Sequence, residues 1–322
     1  MPLQDEEKLK FGRITVEITH PHKVLFPQDG ITKGELIDYY RRIAPRMLPH
    51  LRERPLSFER YPGGLDKRGF FQQNAADYFP DWLKTVTVPK QGGSVRHVVC
   101  DNAASLVYLT NQNMITPHTW LSRADKLDYP DQMVLDLDPS GADFGAVKAA
   151  ARAARDLLDE LGLPSFLKTT GSRGLHVAVP LDRTAEFDSV RAFAHSLAEL
   201  IVARGPDRWT LEQRKDKRDS RVFLDTNRNA YGQTLAPAYA VRARQGAPVS
   251  TPIAWQELEH RDLRPDRWTI SNVFSKLESC EDPWKDFFRR ACSLERARPK
   301  LEAMHAAGGI PKETKVRRNA GA

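Results

Sequence analysis

The run MVLDLDPS, residues 133–140, sets Asp136 and Asp138 one residue apart in an otherwise apolar stretch that Pro139 closes. In an extended strand residues i and i+2 share a face, so the two carboxylates project together while Leu135 and Leu137 point into the core. Neighbouring anions repel unless a positive charge lies between them, and a hard divalent cation such as Mg²⁺ or Mn²⁺ meets that need with oxygen ligands. Asp225 closes a second apolar strand, RVFLD, and is the best candidate for a third carboxylate. The same spacing also suits two strand-end aspartates kept comfortable by solvent, with Asp138 turning the chain at Pro139.

A second group of residues speaks for a phosphate. In KTTGSRGLHVAV, residues 168–179, a glycine-flanked turn offers Thr169, Thr170, Ser172, Arg173 and its own backbone N–H groups to an anion, and His176 follows on the side of the next strand that carries Ala178. A plain hairpin with a hydrogen-bonded core histidine fits these residues as well. Arg242 and Arg244 in YAVRAR alternate onto one face of an expected strand, where paired guanidinium groups suit a triphosphate; an exposed basic edge is the other reading. Together with the acidic pair, these residues describe a site for a metal-bound polyphosphate.

A third signal lies upstream. Thr32 followed by Glu35 forms a capping box, which predicts a helix through LIDYYRRIAPRML with a break near Pro45. Lys33 then sits in the first turn, where the helix dipole disfavours a cation unless an anion is near; a solvated lysine bearing a small penalty is the alternative. Lys23 lies in the loop just before it.

The elements that must position these residues follow from periodicity. RITVEITH alternates as a strand, and short strands and loops are expected from 54 to 125, including RPLSFERYPGG, RGFFQQN, SVRHVVC and SLVYLTNQN. Ser140 or Asp143 can cap a helix whose stripe is Phe144, Val147, Ala151, Ala154, Leu158 and Leu161, ended by Gly162. Strands at SFLKT and LHVAVPL precede a helix carrying Phe187, Val190, Ala194, Leu197 and Ile201, and the chain reads as helical and amphipathic from about residue 255. The pattern is α/β (α+β), a mixed central sheet flanked by helices. Residues 1–12 read as a loose N-terminus, 13–305 as one domain and 306–322 as a basic tail.

Of 322 residues, 40% are apolar, enough for a sizeable core, and 49 Lys and Arg against 42 Asp and Glu give a net charge of +7 that favours a polyanionic partner. Cys100, Cys280 and Cys292 form no CxxC pair and no cluster with histidine, so neither a disulfide framework nor a zinc site is supported. With no apolar run of about 18 residues, no membrane-spanning helix is expected and the chain reads as a soluble cytoplasmic protein.

Across roughly residues 15 to 260 the chain resembles the polymerase domain of bacterial DNA ligase D, a member of the archaeo-eukaryotic primase superfamily that works in end joining. The shared stretches are HKVLFP, ITKGELIDYY, RPLSFERYPGG, FFQQN, PHTWLSR, LDLDP, KTTGSRGLHVAVPL, VFLDTNRNAYGQT and VRARQGAPVSTPIAWQEL, in the family's order. The resemblance implies a primase-like catalytic core in which Asp136, Asp138 and Asp225 hold two Mn²⁺ or Mg²⁺ ions. It implies that Thr170, Ser172, Arg173, His176, Arg242 and Arg244 bind the incoming NTP or dNTP, with Arg173 where relatives often have lysine.

By the same resemblance Lys23 and Lys33 recognise a 5′-phosphate across a gap, and Phe70 and Phe71 stack on template bases. His118 stands near the family's histidine, although PHTW replaces the usual HPW order. APAYAVRAR replaces APYSVRAR, which displaces a proline beside the nucleotide. The function implied is template-dependent gap filling and end extension at double-strand breaks, with ribonucleotides accepted and with Ku and an ATP-dependent DNA ligase as partners. A ligase lysine motif is absent, so a stand-alone polymerase or an excised domain is expected. Two other classes share part of this residue set. A two-metal nuclease or phosphoesterase needs the carboxylates without the triphosphate clamp, and a non-catalytic end-bridging module needs only the lysines and phenylalanines.

Overall fold

The computed structural model describes residues 3, 4, 6–141 and 143–308. Two six-stranded sheets organise them. The first runs in the order Trp209–Thr210, Val222–Asp225, Gln132–Asp138, Leu175–Pro180, Phe166–Thr169, Pro252–Ile253, antiparallel except for the parallel pairing of its first two strands. The second, antiparallel throughout, runs Thr234–Leu235, Met114–Trp120, Pro55–Arg60, Gly93–Val99, Thr85–Lys90, with Phe70–Gln72 also paired to Pro55–Arg60.

Alternation along the first sheet sorts its side chains. Leu135, Leu137, Leu167, Leu175, Val177 and Leu224 face two helices whose apolar stripes the spacing predicted, and they form one core with Val147, Leu158, Val190 and Leu197. On the opposite face Val134, Phe166 and Ala178 join a second core that includes Leu56, Phe58 and Met114 of the other sheet. The acidic residues therefore lie on the face turned toward the second sheet.

Four helices carry most of the packing: α1, Lys33–Met47; α2, Ala103–Asn111; α3, Phe144–Glu160; and α4, Phe187–Ala203. The Thr32 capping box forms as expected, the Glu35 N–H donating to the Thr32 hydroxyl at 3.2 Å and the Thr32 N–H to the Glu35 carboxylate at 2.8 Å. Asp143, not Ser140, caps α3, and Gly162 follows its end at φ +73°.

Several elements differ from the expectation. Pro45 does not break α1, which runs on to Met47 before a short 3₁₀ turn. SLVYLTN, expected as strand and loop, lies in α2, with Gln112 and Asn113 turning out of its end; Asn102 caps the helix by accepting the Ser105 N–H at 2.9 Å. Residues 8–11 are not loose; Lys8–Phe11 pairs with Ile14–Glu17, and Leu9 and Phe11 pack against a small core of Val16, Ile18, Ile37 and Val107.

YAVRAR is no strand, for Val241 makes only an isolated bridge to Val249, and the Arg244 N–H turns back to the Arg242 carbonyl at 2.7 Å. Beyond residue 255 the chain forms short helical turns and a final helix, Arg298–Ala307, which takes in the first two residues of the expected tail. Residues 309–322 lie outside the described residues.

Candidate active site

The register of the first sheet builds the site. Asp225 pairs with Asp136, Asp136 with His176, and His176 with Lys168, so these four residues form one row across four adjacent strands on one face. Asp138 lies two residues along from Asp136, at the strand end. The His176 Nε2 is 3.4 Å from Asp136 Oδ1. Arg228 reaches back from the turn after Asp225, its Nε 3.7 Å from Asp136 and 3.7 Å from Asp225, while the Asn227 N–H donates to Asp225 at 2.8 Å.

Asp138 is held elsewhere, 3.4 Å from Arg173 and 3.9 Å from Arg218. Arg218 is buried, donating to Ser140 Oγ and to the carbonyls of Glu212 and Gln213.

Electrostatics separates the two facing acids. Burial alone would raise the Asp136 carboxyl, but His176, Arg228 and Lys168 outweigh it and bring the group to about 2. Asp225 is raised, first by burial and then by the charge on Asp136, against the pull of the Asn227 N–H. His176 is lowered to about 4 by burial and by Lys168, which leaves a neutral imidazole at pH 7.

Two acids converging on one cation, here the Arg228 guanidinium, have the oxygen donors and the charge a hard divalent ion requires, so the residues fit such a group. Among the described residues no three His, Cys, Asp or Glu side chains converge as a ligand set, and Asp138 lies against Arg173.

The phosphate-type turn is a tightly built device. Thr170 is buried, and its hydroxyl is used inside the turn, accepting the Ser172 and Gly174 N–H groups and bonding the Gly174 carbonyl. The structure thus assigns this hydroxyl to the turn itself, while Ser172 is half-buried and Arg173 exposed above it. A Cβ on Gly174 would come 2.0 Å from the Leu137 carbonyl oxygen, so glycine is what lets the turn sit on the Asp138 strand.

Arg242 packs against the turn, its Nη1 donating to the Thr170 carbonyl at 3.0 Å. Arg244 is exposed in the next bend. The expected pairing of the two arginines on one strand face is therefore absent, since the backbone turns between them.

The second sheet brings the remaining residues close. His118 Nε2 lies 2.7 Å from Glu59 Oε1, and its ring stands edge-on to Phe71 at 5.3 Å. Burial and the charges of Arg242 and Arg228 lower His118, with Glu59 opposing. Phe70 and Phe71 are 48% and 47% exposed, side by side on the short edge strand.

The Lys33 N–H donates to the Lys23 carbonyl at 2.8 Å, so the two lysines share one hairpin. Their side chains part. Lys23 donates to the Pro62 carbonyl, whereas Lys33 is buried and donates to the Asn111 carbonyl at 3.2 Å and to Thr19 Oγ1 at 3.3 Å, at the C-terminal end of α2. A cation at a helix C-terminus is electrostatically favoured, which explains a lysine there without any ligand.

Sequence reasoning missed Lys168, Arg228, Arg218 and Glu59. Lys168 had a signal, a lone charge inside SFLKT; Arg228 had a weaker one, three residues after Asp225 in the turn that follows the strand.

The chain matches the family described as "LigD, primase-polymerase domain" over residues 32–284. It is 34% identical over 275 residues to the multifunctional non-homologous end joining protein LigD of Pseudomonas aeruginosa, covering 84% of this chain and 33% of that protein. It is 30% identical over 276 residues to the bifunctional non-homologous end joining protein LigD of Bacillus subtilis, covering 85% and 44%. The chain thus spans less than half the length of either relative. Among solved structures, the polymerase domain of Mycobacterium tuberculosis ligase D in complex with DNA superposes with a TM-score of 0.81 at 30% identity, covering 86% of this chain and 99% of that one. With a family match over most of its length and this fold around the acidic row, the chain belongs to the LigD primase-polymerase domain family, whose members are DNA-directed nucleotidyltransferases.

Proposed function

We propose that this chain extends primer 3′ ends and fills short gaps at DNA double-strand breaks, copying a template and adding either ribo- or deoxynucleotides. The observation that carries the reading is the row Asp225, Asp136, His176, which sets two acids beside a buried neutral histidine and within reach of Arg242. Asp136, Asp138 and Asp225 would hold two divalent ions, Mn²⁺ or Mg²⁺. For Asp138 this means leaving Arg173 and Arg218, and for the other two it means displacing Arg228. Bound there, such ions supply activation of a primer hydroxyl and neutralisation of charge at the transferring phosphorus.

The chain's own groups do the rest. Ser172, Arg173, Arg242 and Arg244 orient the triphosphate, and His176, neutral at pH 7, donates or accepts a single hydrogen bond there without adding charge. Thr170 serves this clamp by shaping the turn. Phe70 and Phe71 offer exposed ring faces to unpaired bases, a contact tolerant of any sequence, with His118 and Glu59 bracing the pair from the adjoining strand.

Lys23, and Lys33 once it leaves the α2 end, supply charge for a 5′-phosphate. DNA with a 5′-phosphorylated gap is the proposed substrate, a cytoplasmic setting at the nucleoid the proposed location, and Ku and an ATP-dependent ligase the proposed partners. Among the described residues no helix is long and apolar enough to cross a membrane.

The test is extension of a gapped, 5′-phosphorylated duplex with each class of nucleotide, in Mn²⁺ and in Mg²⁺. Template-matched addition that stops on chelation is the expected result. Release of nucleotides from DNA with no triphosphate added would instead support nuclease chemistry.

A further inference from the structure

Lys168 is 2% exposed at the inner end of the acidic row, directly across from His176. Its ammonium donates to Ser250 Oγ at 2.6 Å and to the Ala236 carbonyl at 3.2 Å, both neutral oxygens, and among the described residues it forms no ion pair. A buried amine whose nearest opposing charge, Asp136, lies two strands away is costly, and such a residue asks for a compensating role. Burial first, and the nearby Arg242 second, draw its pKa down to about 7.

Its two acceptors are informative, because they lie at the two ends of the segment that carries Arg242. Ser250 passes the connection on, donating to the Thr169 carbonyl at 3.1 Å, and its N–H reaches the Ala240 carbonyl at 2.8 Å. The Arg242 N–H donates to the Pro248 carbonyl at 2.7 Å, and the Arg242 guanidinium to the Thr170 carbonyl. At φ +65°, Gly171 is the seam: a Cβ there would lie 2.8 Å from Arg242 Cγ and 2.9 Å from the Val249 carbonyl carbon. Turn and segment therefore interlock, and Lys168 is the polar peg between them.

We propose that Lys168 is a positioning residue of the nucleotide site. Its amine pins both ends of the 236–250 segment to the sheet and fixes Arg242 against the 170–174 turn. This rests on the reading of the row as a nucleotide site. Its consequence is selective: nucleotide binding depends on Lys168, and DNA binding at the Phe70 and Phe71 edge does not.

The experiment compares wild type, Lys168→Met, Ser250→Ala, Arg242→Lys and the Lys168→Met, Arg242→Lys double variant on gapped DNA. Each is measured for nucleotide KM, kcat, DNA affinity and melting temperature. Lys168→Met is expected to raise the nucleotide KM about tenfold with kcat within about threefold, and Ser250→Ala to raise it about threefold. DNA affinity stays at the wild-type value. The double variant should cost less than the product of the single effects, because both changes loosen one clamp.

A nucleotide KM within about twofold of wild type in both Lys168→Met and Ser250→Ala overturns the proposal, as does a rise in KM accompanied by matching falls in kcat and DNA affinity. If Lys168→Met fails to fold, Ser250→Ala, which leaves the charge in place, decides alone by the same criteria. A wild-type protein that adds no nucleotide refutes the underlying reading, and direct titration with a fluorescent triphosphate still reports on the clamp.

Discussion

On the sheet built around Gln132–Asp138, the row of Asp136, His176 and Lys168 has side chains no more than 21% exposed, each held by a partner across the strand or from a neighbouring loop. On the other sheet Phe70 and Phe71 lie about half exposed on an edge strand of three residues, with Arg60 over the Phe70 ring and His118 edge-on to Phe71. The first region pays desolvation in advance and gains fixed geometry, as the proposed chemistry on a phosphorus atom demands. The second keeps apolar surface open, as contact with bases of any sequence demands. One predicts loss of rate without loss of binding, the other the reverse.

The largest expected effect breaks the first region alone. Phe70→Ala combined with Phe71→Ala should leave nucleotide KM unchanged, whereas Asp136→Ala should lower extension by about 10³-fold or more, measured as single-turnover rate on gapped DNA. The double phenylalanine variant should instead weaken DNA binding by about 10- to 100-fold in an anisotropy titration, following the stacking of about one base per ring.

A smaller change sharpens the same boundary. Lys23→Ala should lower the preference for 5′-phosphorylated over unphosphorylated gaps by about tenfold, with little change in melting temperature. Lys33→Ala should do the same and also destabilise the fold by about 1 kcal/mol, because its ammonium caps α2 at Asn111. Equal melting temperatures for the two variants would contradict that second role.

A last effect, on stability alone, concerns the core around His50. His50 is buried among Tyr239, Trp284, Phe287 and Phe288, and burial with the nearby Arg54 lowers its pKa from the usual 6.5 to about 3. The unfolded chain then binds more protons at this position between those values. Its contribution to stability is complete above about pH 6.5 and is lost as pH falls toward about 3. Chemical denaturation at pH 7 and pH 4.5 should show a smaller drop for His50→Phe than for wild type, and an equal drop would remove the assignment.

How far the sequence carried depends on whether a feature is local. The shared face of Asp136 and Asp138, the Thr32 cap and the stripes of α3 and α4 follow from periods of 2 and 3.6 and from side chains a turn apart, and they were legible. The pairing of Asp225 with Asp136 was legible only as chemistry, because strand register between distant segments is fixed by sheet order and not by either segment. For the same reason Lys168 was missed, since its meaning comes from His176 across the ladder and from Ser250 far along the chain.

Arg242 and Arg244 were misjudged as strand neighbours, because the Arg244 N–H turns back to the Arg242 carbonyl while Arg242 packs over Gly171. Lys33 shows the opposite hazard. Its place in the first turn of α1 was read correctly, but its charge is answered by the end of another helix.

The most direct measurement of the central claim, that the acidic row does the chemistry while the aromatic edge does the holding, follows wild type and Asp136→Ala on one 5′-phosphorylated gapped duplex, reading DNA affinity and nucleotide addition from the same samples. The account predicts unchanged affinity, within about twofold, and no addition by the variant. Addition at the wild-type rate by Asp136→Ala, or a loss of affinity that matches the loss of addition, would contradict it.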